Sequence, residues 1–196
     1  LHFGATGLAF NHSLVRDAIA VQLGSGLRAD LHATAGRALE ATGDPLAVGP
    51  AAVHWSQVPG AHAARRCRAR ASAAAATLTV APERGLALAR LALTSADGLD
   101  AGAEERAELV LAVARLEWAA GRLHDALRSC ETGMRLAESA VRPDLMADFA
   151  LVPQGIGSTD THRAVGEMCR RALLELPGHE TLRRARLLAQ SAVSLV

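Results

Sequence analysis

The chain has 196 residues, enough to bury one large core or two small ones, and 50% of them are hydrophobic. Only 3% are aromatic and Tyr is absent; alanine carries much of the apolar count, which favours closely packed helices over a sheet rich in β-branched and aromatic residues. The formal net charge of +1 excludes a broad electrostatic drive toward nucleic acid or membrane, although all 21 basic residues are Arg.

Leu1 to Phe10 holds two glycines and ends in an apolar run, the pattern of the end of a β-hairpin or wing. Asn11 is placed to cap a helix through Gln22, and Gly24-Ser25-Gly26 breaks it. A second helix is expected over Leu27–Ala41, with Leu27, Leu31, Ala35, Ala38 and Leu39 as its apolar stripe. Gly43-Asp44-Pro45 is a turn, Pro50–Val58 a short helix, and Pro59-Gly60 its end. Helices then alternate with short breaks: Ala61–Thr79, Pro82–Ala96, Ala103–Ala120, Leu123–Ser139 and Pro143–Val152. A glycine-rich loop, Gln154–Asp160, leads to Thr161–Leu176, and Pro177-Gly178 separates that helix from a last one beginning at His179. No segment alternates with a period of two, so strand is expected only at the start. The first residue is Leu1, not Met, and Val196 directly follows an apolar helical run; both suggest a segment of a longer protein.

A repeat underlies the second half. With Gly121 as a turn, the helix after it presents Ala126, Cys130 and Gly133, small residues at a four-then-three spacing. The same spacing recurs at Gly85, Ala89, Ala92 and at Val165, Cys169, Ala172. Small side chains at this spacing let two helices approach closely, as the second helix of a tetratricopeptide unit requires. The preceding helix is expected to offer Val110, Val113 and Ala114 to that seam. In Leu123–Ser139 the apolar stripe runs through Leu123, Ala126, Leu127, Cys130, Met134 and Ala137, and Arg128 can pair with Glu131. The fold class is therefore all-α: antiparallel helix pairs stacked as a tetratricopeptide-like solenoid over 59–196, after a small winged-helix remnant with connecting helices over 1–58.

Chemistry is sparse. With no Lys there is no phosphate-binding loop lysine, and Gly155-Ile156-Gly157 lacks a preceding strand and a third glycine. His179-Glu180 has no second His one turn on, so no zinc-protease pair exists. Cys67, Cys130 and Cys169 are few and widely spaced, and read as reduced, buried thiols of a cytoplasmic protein. The Arg clusters at 65, 66, 68, 70 and at 183, 184, 186 read as solvated faces, and His54-Trp55 as a core Trp with a partly exposed neighbour. No run spans a membrane. The segment is expected to be non-catalytic, with no catalytic or metal-binding residue.

Phe10-Asn11-His12-Ser13-Leu14-Val15-Arg16-Asp17-Ala18-Ile19 resembles the F-x-H-x-L-V-R-[DE]-A-[IVL] stretch of large ATP-dependent transcriptional regulators of the LuxR family, which belong to the STAND class. Arg28 with Leu31-His32 resembles the following R-x-x-L-H, and Ala52-Val53-His54-Trp55 the A-x-H-W before the first repeat. Glu167–Leu176 and Leu182–Ala189 resemble the segment between those proteins' repeats. The resemblance implies a sensor and interaction scaffold. Its partners would be the protein's own upstream ATPase module, a downstream output domain, and a protein or small-molecule inducer on the repeats. It implies no membrane contact and no direct nucleic-acid binding by this segment, no cofactor within it, and ATP or ADP for the full-length protein. His12 would then touch the phosphates of bound ADP. The same scaffold also fits a nucleotide-cyclase-linked signalling ATPase or a stand-alone adaptor.

Overall fold

The computed structural model describes residues 2–4, 7–9, 18, 19, 21–77, 81–99, 101–154 and 159–193. The chain opens with an antiparallel hairpin, β1 (His2–Gly4) and β2 (Gly7–Ala9), in which Phe3 lies opposite Leu8. Most of the helix expected over Asn11–Gln22 lies outside the described residues, and His12 with it. Then come α1 (Ser25–Ala41), a 3-10 turn (Pro45–Ala47), α2 (Val48–Ser56), α3 (Ala61–Thr77), α4 (Pro82–Asp97), α5 (Ala103–Ala119), α6 (Leu123–Ser139), α7 (Pro143–Ala150), α8 (Thr159–Glu175) and α9 (Thr181–Val193). Each helix packs on its successor, giving an all-α solenoid of helix pairs.

Local chemistry accounts for the breaks. Asp44 accepts a hydrogen bond from the Leu46 amide at 2.9 Å, and Pro45 supplies a fixed φ at the start of the 3-10 turn, so helix resumes at Val48, ahead of Pro50. The α5–α6 and α6–α7 turns share one geometry. Gly121 has φ +74°, and the Arg122 amide reaches back to the Glu117 carbonyl at 2.8 Å. Val141 has φ +55°, and the Arg142 amide reaches the Ala137 carbonyl at 2.9 Å. Both are left-handed C-terminal caps, which suit glycine and strain valine.

The largest core cluster joins α5 to α9 around Phe149, Met134, Leu187, Cys130 and Cys169, all of them fully buried. Two smaller clusters link α3, α4 and α5, through Ala71 and Ala92 in one and Ala75, Leu86 and Val113 in the other.

Three expectations are corrected. In α1, Leu27 and Leu31 are 54% and 50% exposed; the packed face runs instead through His32, Gly36 and Glu40, because Gly36 is what lets the indole of Trp55 approach. Val113 turns away from the α6 seam to pack with Leu86 and Ala89 of α4, while Val110 and Ala114 share the cluster of Cys130. Leu123 is 42% exposed, at the open end of its stripe, and Arg128 pairs with Asp125, one turn back, rather than with Glu131.

Candidate functional site

The nine small residues of the repeat are all buried. Gly85, Ala89 and Ala92 lie on α4, Ala126, Cys130 and Gly133 on α6, and Val165, Cys169 and Ala172 on α8, the second helix of each successive pair. Gly133 differs from the others in its neighbour: the ring of Phe149, from α7, occupies the space where a Cβ would stand. These residues build the stack and offer nothing to a ligand. The three cysteines are free and buried. Burial pushes the Cys130 thiol up to about 12 and the Cys169 thiol to about 11. Burial also raises Cys67, partly offset by a hydrogen bond from the Ser95 hydroxyl at 3.1 Å. The thiolate is the nucleophilic form, so all three are unreactive in the fold.

At the junction of α1, α2 and α3, one carboxylate gathers three partners. Glu40 accepts from the Trp55 indole at 3.0 Å, from Arg70 at 3.0 Å, and from Arg66, whose guanidinium also lies 4.8 Å from the Trp55 ring. Burial alone would raise the Glu40 carboxyl; the bonds from Arg66 and Arg70 outweigh it and hold the group below the usual carboxylate range. The first Arg cluster is therefore not a free solvated face: Arg68 also pairs, with Glu105 at 2.9 Å. Beside this network, Nδ1 of His32 and Nδ1 of His54 stand 3.0 Å apart. One ring donates and the other accepts, which requires at least one neutral imidazole. Burial, then the charge of His32, lowers the His54 value. The histidines of the R-x-x-L-H and A-x-H-W stretches thus meet, a contact that spacing along the chain does not reveal.

A second polar centre lies in the repeats. Glu117 on α5 is only 3% exposed, and it accepts from Arg90 of α4 at 2.7 Å and from Ser129 of α6 at 2.6 Å. One buried carboxylate so ties three consecutive helices at the floor of an open cavity of about 410 Å³. Its charge is matched inside the protein, so the cavity presents no unbalanced group there.

The third centre is not balanced. Asp148 of α7 receives Arg115 of α5 at 3.4 Å and Arg183 of α9 at 3.2 Å, and Arg183 also pairs with Glu180 at 3.0 Å. Arg186, one turn on from Arg183, makes no hydrogen bond or ion pair to a described residue, and neither does the indole N–H of Trp118. Arg115, Asp148, Arg186 and Trp118 line a cavity of about 240 Å³ with Leu151 and Val152 as its apolar wall. In the second Arg cluster, Arg184 is also engaged, donating to the Leu173 and Leu176 carbonyls at the end of α8. Sequence reasoning missed Glu40, Glu117 and Asp148. The available signal was a lone acid among small and apolar residues, as in Leu116-Glu117-Trp118.

Among the described residues, no group of three or more His, Cys, Asp or Glu could hold a metal ion, and no helix is long and apolar enough to cross a membrane. No protein-family model, no curated protein and no solved structure matches the chain.

Proposed function

We propose that this chain is the sensor and interaction scaffold of a STAND-class transcriptional regulator of the LuxR type, working through binding rather than catalysis. The observation that carries the reading is the meeting of His32 with His54 and the seating of Trp55 on Gly36. The residues that resemble two separated stretches of those regulators pack α1 on α2, and Trp55 carries that packing on to Ala63 and Cys67 at the start of the repeat stack. The repeats supply a long lateral surface of the kind solenoids use for recognition. Its cavities draw their walls from helices of more than one pair, α4 to α6 in one and α5, α7 and α9 in another, so a ligand there would bear on the relative placement of neighbouring pairs. In this reading His12 holds the ADP phosphate of the upstream module at a helix start, where free backbone N–H groups favour an anion.

The test uses the full-length protein. It should retain ADP on purification and bind its promoter DNA through a downstream domain, and His12→Ala should release ADP faster and raise basal transcription. A full-length protein that retains no nucleotide and binds no DNA would replace this reading with a stand-alone adaptor. A cyclase activity in place of DNA binding would move the scaffold to the cyclase-linked class.

A further inference from the structure

We infer that the cavity between α5, α7 and α9 is a binding site for a small organic monocarboxylate with a flat, apolar body. The inference gives the proposed sensor a ligand chemistry, but it stands on the cavity itself.

Arg115 and Arg186 line the cavity with Asp148, and Arg183 pairs with both Asp148 and Glu180, so three guanidinium groups meet two carboxylates and one positive charge has no counterpart among the described residues. Asp148 holds Arg115 through a single 3.4 Å contact, so most of that guanidinium's donors stay available. Arg186 uses none of its five N–H donors on a described residue. Two guanidinium groups, one from α5 and one from α9 on either side of α7, with one charge to spare, suit one planar carboxylate, which accepts paired N–H bonds from such groups.

The walls decide what the carboxylate carries. Trp118, Leu151 and Val152 give the cavity an apolar side next to Arg115, Arg186 and the Gln154 amide, and the indole N–H of Trp118, which bonds no described residue, adds one further donor. A bare inorganic anion would leave that wall wet. A cation is repelled by the excess Arg, and a neutral ligand leaves it unmatched. At about 240 Å³ the cavity falls below the roughly 300–1,000 Å³ of sites for drug-sized ligands, which restricts the ligand to a small acid. Asp148 stays with Arg183, so it orients the pocket rather than competing for the ligand.

Calorimetric titration of the 196-residue chain with phenylacetate tests this directly, with phenylacetamide and inorganic phosphate as controls. Phenylacetate should bind with one saturable site. The amide, and Arg186→Gln with phenylacetate, should each bind about tenfold more weakly, the worth of one charge-assisted contact. Trp118→Leu should weaken phenylacetate more than phosphate, because phosphate loses only the indole donor whereas phenylacetate also loses the apolar wall. Because Arg186 has no partner within the described fold, Arg186→Gln should melt with the parent chain, which separates lost binding from lost folding. Absence of saturation by phenylacetate, equal binding of the amide, or phosphate competing on equal terms would each overturn the inference. None of these readouts involves nucleotide retention or promoter binding, so either proposal can fail without the other.

Discussion

The ring of Phe149 fills the space over Gly133 where a side chain would otherwise stand. This ring belongs to α7 and closes the seam between two successive repeat pairs, with no exposed surface of its own. Gly133→Ala should therefore force the ring aside and destabilise the chain by about 1–3 kcal/mol, as overpacking of a filled core does. Denaturant unfolding measures it. The double variant with Phe149→Leu should recover part of the loss, and strict additivity of the two changes would show that they do not share one space.

Val141 sits in a left-handed conformation at φ +55°, is 82% exposed, and packs against nothing that rewards its branched side chain. Its counterpart in the preceding turn is Gly121. Relief of the left-handed strain should outweigh the extra chain entropy of glycine, so Val141→Gly should stabilise by about 0.5–1 kcal/mol. A lowered melting temperature would show that the α6–α7 turn is held by another contact.

Glu117 and Arg90 should respond unequally to truncation. The guanidinium of Arg90 is about half exposed, at 47%, and can rehydrate when Glu117 is lost; the carboxylate, at 4%, cannot when Arg90 is lost. Arg90→Ala leaves a buried charge with only Ser129 to satisfy it. It should cost on the order of 2–4 kcal/mol, against about 1–2 kcal/mol for Glu117→Ala. Equal costs in denaturant unfolding would mean that solvent reaches Glu117.

The His32–His54 contact makes stability depend on pH in a separate window. The folded value of His54 lies below its ordinary 6.5, so the fold favours the neutral ring. The unfolded chain then binds more protons than the folded one as pH drops below about 6.5. This contribution is whole above that pH and is lost as the pH falls through the lowered folded value. The lowered carboxyls of Glu40 and Asp144 lose their contributions only at more acid pH, because their unfolded values are near 4.5 and 3.8. The melting temperature should fall from pH 7 to 5, and His32→Gln, which removes one of the two causes, should make the fall shallower. A flat profile in the parent chain would refute the linkage.

The thiols provide a test of packing across the whole stack. Cys67, Cys130 and Cys169 lie one in each of three helix pairs, all with no exposed surface. Under native conditions at neutral pH a thiol reagent should label none of them, and all three should react once the chain is unfolded. Labelling of a single native thiol would locate a pair that opens on its own.

Helix positions and the small-residue seams were legible in the sequence because both are local. Clustered turn residues mark the breaks, as at Gly43-Asp44-Pro45 and Pro59-Gly60, and a four-then-three spacing marks one face of a helix whatever stands opposite. What stands opposite was decided by the tertiary structure. Leu27 and Leu31 look like a core stripe by periodicity, yet Gly36 sets the face of α1, since only a residue without a side chain admits Trp55 at that distance. Gly133, expected at the seam with the helix before it, instead takes the ring of Phe149 from the helix after it. The polar centres were beyond reach for the same reason. Glu117 takes partners from residues 27 positions before it and 12 after it, and Asp148 from 33 before and 35 after. Such contacts depend on how whole helices are rotated and stacked, which burial summed over the stack determines and no short stretch of sequence encodes.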